Sequence, residues 1–497
     1  MIGNNFRSPE KAQEYPEYYD TCSVLLEFEN GVLGMITGAQ YVKYGYDSRA
    51  EILGTKGIIK VGSQNANSVE VAKEGMELKA DSMDSWRTLF RDAYVTEDQA
   101  FIECIQKDTK PPVSGEDGKK ALILVNEGLR SLLEHRPVYL KNGMPLKEME
   151  GGSMKAVRLL EQGKLELQEI PKPIIKEDEI LIRVRAASIC GTDVRMWKNG
   201  ASNASPEHPL TLGHEFSGEI AEIGKNVKGY KEGMKVAVAP NMGCGHCDMC
   251  VSGNTHLCRE MSAFGVTIDG AMAEYVKVPS NAISQGNVSV LGEEISYQEA
   301  ALVEPLSCVY NGQMLLGIRP GDDILVIGLG PIGVMHIMTA KLFGAGKIFV
   351  NDLSKERIDQ AKALLPDVIP IYGDVMEGLK EYGCPGVDIC IIAAPAPGAQ
   401  AASLEYMNMN GRLLFFGGLP DSKKIVPINT NLIHYRQLRI QGCSKQNLSE
   451  YRKCAKLVND GRIPLGLIAS DTYAIEDYQK AFENAAAAKG LKHVIIF

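Results

Sequence analysis

The seven residues Ile327-Gly328-Leu329-Gly330-Pro331-Ile332-Gly333 constrain this chain more than any other stretch. They follow the apolar run DILVIG directly and open the helical run IGVMHIMTAKLFG. The first glycine permits a tight turn, the second lets backbone approach a pyrophosphate, and the third allows close helix–strand packing. The next apolar run, KIFVND, ends in Asp352, nineteen residues past Gly333, where a carboxylate can bind a ribose 2′-hydroxyl. Its charge repels a 2′-phosphate, so the expected cofactor is NAD rather than NADP. Gly328, Gly330, Pro331, Ile332, Gly333 and Asp352, with Arg357 grouped beside them, form the expected cofactor set. Strand–helix alternation continues through GVDICIIAA and GRLLFFGG, so a parallel, doubly wound sheet is expected from about residue 306.

Upstream the pattern differs. EILIRVRAAS, HEFSGEIAEIG and KVAVAP are short strands separated by glycine turns, which suggests a β-rich, barrel-like unit. Four of the 12 cysteines fall within fifteen residues: Cys244, Cys247, Cys250 and Cys258. At that spacing four thiolates close a tetrahedral shell on one zinc and leave no position for water, so this site is expected to be structural. His246 and His256 lie in the same loop and read as bystanders. The lone Cys22, Cys104, Cys384, Cys390, Cys443 and Cys454 read as small buried hydrophobes. A second metal constellation is spread along the chain: Cys190-Gly-Thr192-Asp193, Gly213-His214-Glu215 and Glu304-Pro305. A catalytic zinc needs few protein ligands and one open position, where a substrate oxygen can bind and be acidified.

Glycine, serine and charge at residues 148–153 (Glu-Met-Glu-Gly-Gly-Ser) mark a linker. Before it, TCSVLLEFENGVLGMITGAQ reads as one hairpin, and RAEIL and IIKVG around Gly54-Thr-Lys-Gly57 as another. Helical spacing covers 94–107 and 117–134, with Ser114 and Asp117 as caps. Residues 1–147 are therefore an α+β unit, an antiparallel sheet with helices.

Length and charge set the outer limits. A chain of 497 residues calls for about three domains. The net charge of −9 argues against nucleic acid and an anionic membrane surface as partners. No apolar run reaches membrane-spanning length and the polar start has no h-region, so a cytoplasmic location is expected.

The motifs also carry a resemblance. CGTDV, LGHEFSGEIAEIG, CGHCDMCVSGNTHLC, GAMAEYV, ALVEPLSC and GLGPIG resemble, in order, the zinc-containing medium-chain dehydrogenases, above all the sorbitol, polyol-phosphate and threonine dehydrogenase branch. The resemblance implies a GroES-like catalytic domain over 154–305, interrupted by an NAD-binding α/β Rossmann domain over 306–440, with 441–497 returning to the catalytic lobe. By position Cys190 and His214 match zinc ligands, and Glu215 the ligand or near-ligand after the histidine. Glu304 matches the carboxylate that binds zinc or its water, and Thr192 the hydroxyl that passes the substrate proton outward. One departure is Arg195, where several relatives have a histidine at the end of that relay; arginine stays protonated and cannot act as a base.

Residues 1–147 resemble a different family, in LLEFENGVLGMITGAQYVKYGYDSRAEILGTKGIIKV, AYVTEDQAFIECI, SGEDGKKAL and HRPVYL. They are similar to the C-terminal open-sheet domain of the inositol 2-dehydrogenase (Gfo/Idh/MocA) family, which there walls the substrate side and packs subunits together. Tyr44, Tyr46 and Tyr94 match aromatic positions near that family's polyol pocket or serve sheet packing. The segment has no counterpart of that family's nucleotide-binding half or catalytic lysine, so it is expected to bind no nucleotide. The expectation for the whole is hydride transfer between NAD and a secondary alcohol of a polyol, inositol or sugar-derived substrate. Two zinc ions per chain would serve, one catalytic and one structural, in a homo-oligomer (dimer or tetramer). Threonine-type or polyol-phosphate oxidation is the alternative within the family, and a non-catalytic NAD-binding scaffold the alternative outside it.

Overall fold

The computed structural model describes residues 2–4, 11, 20–28, 32–39, 46–62, 65–71, 79–83, 85–134, 138, 140–141, 144–145 and 152–497 except 207. They separate into two compact units, Met1–Glu150 and Gly151–Phe497. Of the expected linker, residues 148–151 lie outside the described residues. Ser153 opens a strand and pairs with Pro171, and the Gly152 carbonyl just before it accepts from the Lys172 N–H at 2.9 Å. Once those backbone groups are bonded across a ladder, the chain there is no longer free to swing.

In the first unit Thr21–Glu27 pairs antiparallel with Leu33–Ala39, and Ala50–Gly54 with Gly57–Val61. The helices are Arg91–Lys107 and Gly115–Glu134. Ser114 N–H and Oγ–H both donate to Asp117 Oδ2, at 2.9 and 2.7 Å, which satisfies the start of the second helix as a capping box does. Among the described residues the two hairpins belong to separate sheets, and Ile2–Asn4 also pairs with Thr21–Glu27. Tyr46 lies edge-on to Phe90 and Tyr94 edge-on to Trp86, each pair 6.1 Å apart, so both rings pack within the unit; Tyr44 lies outside the described residues.

The second unit is built on two sheets with different reasons for being. The β-rich lobe centres on Ile180–Ser188, ILIRVRAAS, buried at nearly every position because other layers cover both faces. Each fully buried Ile, Leu or Val there contributes about 1.5–3 kcal/mol over exposure. Across the sheet the order is Val288–Val290, Lys235–Val238, Glu215–Ile223, Ile180–Ser188, His493–Ile496, Asp471–Ala474, and Tyr275–Val278 also pairs with the central strand. The last two path strands come from the chain's end, so the return segment completes this lobe.

The other sheet is parallel throughout. Its strands, in chain order, are Ile324–Ile327, Ile348–Asn351, Ile369–Pro370, Val387–Ile392, Met407–Phe415 and Arg439–Gly442. In space the first lies between the second and the fourth, which puts a topological switch point beside Ile327. The sixth strand runs past the expected boundary at 440, since Gln441 and Gly442 still pair with Leu414 and Phe415. The helix Val303–Leu316 likewise straddles the expected boundary at 305/306. It is almost wholly buried, sharing one core with Pro331–Leu342 and with Tyr451, Cys454 and Val458 of Leu448–Asn459. No helix among the described residues is long and apolar enough to cross a membrane.

Candidate functional site

The tetrapeptide Cys190-Gly-Thr-Asp193 is where the central strand turns into the helix Gly191–Asn199. Asp193 stands at the third helical position and accepts from the Cys190 N–H at 2.8 Å, so the helix start itself fixes the Cys190 backbone. One strand over, Ser188 pairs with Glu215, which brings the Gly213-His214-Glu215 turn beside Cys190. Gly213 has φ +96, and a Cβ there would lie 2.8 Å from Met272 N, so only glycine lets this turn approach. One ligand atom each of Cys190, His214 and Glu215 lies within 4.8 Å of the others.

Cys190, Asp193, Glu215 and Glu304 share this cluster with His214 and Lys492. Asp193, fully buried, places Oδ1 3.5 Å from His214 Nδ1. Burial opposes protonation of His214, but Asp193 and then Cys190 outweigh it and raise the imidazole well above its usual range. Glu304, in the first turn of Val303–Leu316, is buried next door and outside the three-atom group. Burial, reinforced by Glu215, pushes its carboxyl up to about 7 against the pull of His214 and Lys492. Cys308, one helical turn on, donates its S–H to Glu304 Oε1 at 3.5 Å. Lys492, 4% exposed, donates to both Glu215 oxygens, at 2.6 Å to Oε1, and to the Ile189 carbonyl at 3.1 Å. Burial alone would lower its ammonium; Glu215 and Cys190 raise it instead. Thr192 is half-buried on the helix start, and the exposed Arg195 donates Nη2–H to its Oγ1 at 3.4 Å.

A sulfur, an imidazole nitrogen and a carboxylate converging in a buried cluster are the donor set zinc takes. The four-cysteine lobe fits better still. Cys244 and Cys250 sulfurs are 3.9 Å apart and Cys247 and Cys258 sulfurs 3.8 Å, against about 3.8 Å for the edge of a zinc–thiolate tetrahedron with 2.3 Å bonds. Backbone N–H groups of His246 and Cys247 hold the Cys244 thiol down to about 6, while burial pushes Cys250 up to about 12. His246 turns its Nδ1 to the Cys244 carbonyl at 3.0 Å, and His256 is buried alongside.

The glycine loop sits at the switch point. Gly328 takes φ +95 with Ala394 packed where a Cβ would stand, and Gly330 caps the helix that starts with Pro331 and Ile332. A Cβ on Gly333 would lie 1.9 Å from the Gly328 carbonyl oxygen, the contact that lets helix meet strand. Asp352 Oδ2 accepts from the Leu329 N–H at 2.7 Å and Oδ1 from the Ser354 N–H at 2.9 Å, so the carboxylate is tied to the loop. Arg357 borders Gly330 and donates Nη2–H to the Ala488 carbonyl at 3.0 Å. This is a cradle shaped for a dinucleotide pyrophosphate.

The structure thus brings Cys190, His214 and Glu215 together and sets Glu304 beside them. Asp193 was named within its motif, but its place behind His214 was not read from sequence. Lys492 was missed and had no signal, lying 277 residues from Glu215 in the chain. Of the lone cysteines, Cys384, Cys390 and Cys454 are buried, whereas Cys22, Cys104 and Cys443 are only half-buried, because those three stand at element faces or ends that nothing covers fully. All twelve thiols are free.

Residues 176–287 match the alcohol dehydrogenase GroES-like domain and 331–460 the zinc-binding dehydrogenase domain. Residues 3–140 match the C-terminal α/β domain of an oxidoreductase family, Gfo/Idh/MocA. The sorbitol dehydrogenase of Bacillus subtilis (strain 168) is 34% identical over 342 residues, 68% of this chain and 95% of that protein. An L-threonine 3-dehydrogenase of Pseudoalteromonas translucida is 30% identical over 335 residues, 66% of this chain and 95% of that protein. A zinc-binding dehydrogenase of Sinorhizobium meliloti 1021, solved with NADP, is 30% identical and superposes with a TM-score of 0.64 over 70% of this chain and all of that one. On its glycine-loop cradle, its two clusters of zinc donors and these matches, the chain belongs to the zinc-containing medium-chain alcohol dehydrogenase family, with a Gfo/Idh/MocA-type domain at its N-terminal end.

Proposed function

We propose that the chain oxidises a secondary alcohol of a polyol, inositol or sugar-derived substrate, reversibly, with NAD, in the cytoplasm. The observation that carries this reading is the buried convergence of Cys190, His214 and Glu215, with Glu304 adjacent, in a unit that also holds a parallel-sheet switch point lined by Gly328, Gly330 and Gly333. In this reading GroES-like residues 154–305 and the return segment 441–497 hold the metal, and the Rossmann portion between them holds the nucleotide.

Cys190, His214 and a carboxylate, Glu215 or Glu304, hold the catalytic metal; Cys244, Cys247, Cys250 and Cys258 hold a second, structural one. When bound, zinc acidifies the alcohol oxygen and NAD accepts the hydride. Asp193 orients the His214 ring, as a carboxylate behind a metal-binding histidine does. Thr192 passes the substrate proton outward. Its oxygen accepts from Arg195, which leaves the hydroxyl hydrogen free to turn toward the next acceptor; Arg195 cannot take the proton, so that acceptor is water. Asp352 selects NAD: both its oxygens are held by backbone at the end of the second parallel strand, where a 2′-phosphate would meet a fixed negative charge. Residues 1–147 pack subunits of a homo-oligomer, because Leu25, Met35 and Leu53 are 71, 73 and 82% exposed on the hairpins.

The test is a screen of polyols, inositols, their phosphates and threonine for reduction of NAD and NADP. A secondary polyol oxidised with NAD is the expected result. Turnover of threonine alone would replace the substrate assignment, and His214→Ala retaining turnover would sink the metal role. Asp352→Ala combined with an arginine at position 353 is expected to move preference toward NADP. Equal use of both cofactors by the unaltered protein would overturn the role of Asp352.

A further inference from the structure

The four-cysteine lobe carries a second group of donors on its rim. One ligand atom each of Cys244, His246 and Glu260 lies within 4.8 Å of the others. Local pairing brings them there. Asn241 and Met242 pair with Ala263 and Ser262, and two residues toward the loop on each arm stand Cys244 and Glu260. Gly245, at φ +85, turns the chain between Cys244 and His246. The imidazole is also set for a metal. A carbonyl can only accept, so the 3.0 Å contact between Nδ1 and the Cys244 carbonyl puts the proton on Nδ1 and leaves the Nε2 lone pair free. Metal-binding histidines are held by such a bond behind the ring. Access is graded across the lobe: His246 and Glu260 are exposed, Cys244 is half-buried, and Cys250 and Cys258 are buried. Charge favours the same side. Four thiolates exceed the charge of one divalent ion, and Glu260 adds to the excess, so an approaching cation is attracted to this rim.

We propose that Cys244, His246 and Glu260 form an entry site for a thiolate-seeking divalent cation, through which the four-cysteine shell is filled and exchanged. Cys244 belongs to both sets. An arriving ion meets a thiolate, an imidazole and a carboxylate before it reaches the buried sulfurs, and is never without protein ligands on the way. His246 and Glu260 touch the ion only in passage; Cys244, Cys247, Cys250 and Cys258 keep it. The inference rests on the structural-zinc reading above and concerns only how that shell is reached.

Metal exchange in the zinc-loaded full chain tests it. Cadmium is added, and the near-ultraviolet thiolate–cadmium absorption follows the lobe, whose four sulfurs outweigh the single sulfur of the Cys190 cluster. The reverse exchange starts from the cadmium-loaded chain and added zinc. A group that meets the ion only in passage lowers one barrier that both directions cross, so its loss slows both and leaves the final distribution alone. His246→Ala and Glu260→Gln are each expected to slow both exchanges by about tenfold, the low end of what partners around metal ligands contribute. Both side chains are exposed, so neither substitution opens a core. Unchanged rates would make the two residues bystanders, and faster exchange would make them a cover over the shell. A shifted final distribution would make them resident ligands, and a zinc-loaded lobe that takes up no cadmium would close the route altogether. Each of these results overturns the proposal. If elemental analysis instead finds as much zinc in Cys247→Ser as in the unaltered chain, it is the structural-zinc reading that fails.

Discussion

Alanine at Gly333 places a methyl 1.9 Å from the Gly328 carbonyl oxygen, where van der Waals contact requires more than 3 Å. The obstacle is backbone, so no rotamer change relieves it, and either the helix Pro331–Leu342 or the loop must move by about an ångström. Overpacking of that kind costs about 1–3 kcal/mol. A domain of this size loses roughly 2–4 °C of Tm per kcal/mol, so a fall of about 2–12 °C is expected. The displaced helix start also stops facing the pyrophosphate, so NAD affinity falls by at least about tenfold, the equivalent of 1.4 kcal/mol. Gly330→Ala is the internal contrast. Its methyl meets only the mobile guanidinium of Arg357, at 3.1 Å, yet stands where the pyrophosphate approaches. It is expected to weaken NAD and leave Tm within about 2 °C, a shift smaller than one kcal/mol of lost stability would cause. Gly398→Ala, with nothing within 4 Å, controls for helix propensity. Differential scanning fluorimetry with calorimetric NAD titration reads both quantities. Unchanged Tm and affinity in Gly333→Ala would refute the account of how this loop packs.

Three other outcomes are expected. Cys247→Ser removes one corner of a 3.8–3.9 Å sulfur tetrahedron, so elemental analysis should show one zinc fewer per chain and the Tm should drop while NAD binding survives. His336 is buried against Phe416 and accepts from Gln313 Nε2 at 3.1 Å, and burial lowers its imidazole to about 3, so it folds neutral. Its contribution is complete above the unfolded value of 6.5 and is lost as pH falls toward 3, about 2 kcal/mol of it by pH 5. His336→Leu should flatten the stability profile between pH 7 and pH 5, as read by urea unfolding, and a parallel profile would contradict the assignment. Deleting residues 1–152, and not Ser153, which belongs to the first strand of the second unit, should lower the oligomer size in light scattering while NAD-dependent turnover per site persists. A large rise in KM would instead place that domain at the substrate pocket.

What the sequence determined by itself was whatever depends on residues close together in the chain. The glycine loop is legible because a strand, a tight turn and a helix start must be consecutive. Asp352 is legible because one βαβ crossover has a nearly constant length. The four-cysteine lobe is legible because fifteen residues suffice to wrap a tetrahedron. The pairing of Thr21–Glu27 with Leu33–Ala39 and the hairpin at Gly54–Gly57 were equally local. Cys190, His214 and Glu304 were recognisable only as separate motifs, and their resemblance to a family supplied the grouping. Tertiary structure decided what the spacing of letters cannot express: Ser188 opposite both Glu215 and Val494, Asp193 behind His214, and Lys492 arriving from the far end of the chain to grip Glu215. Those relations follow from strand register and from a return segment that finishes a sheet begun more than three hundred residues earlier. A pairing across such a distance leaves no periodic trace in either partner, because each strand's pattern records only that it is buried and not against what.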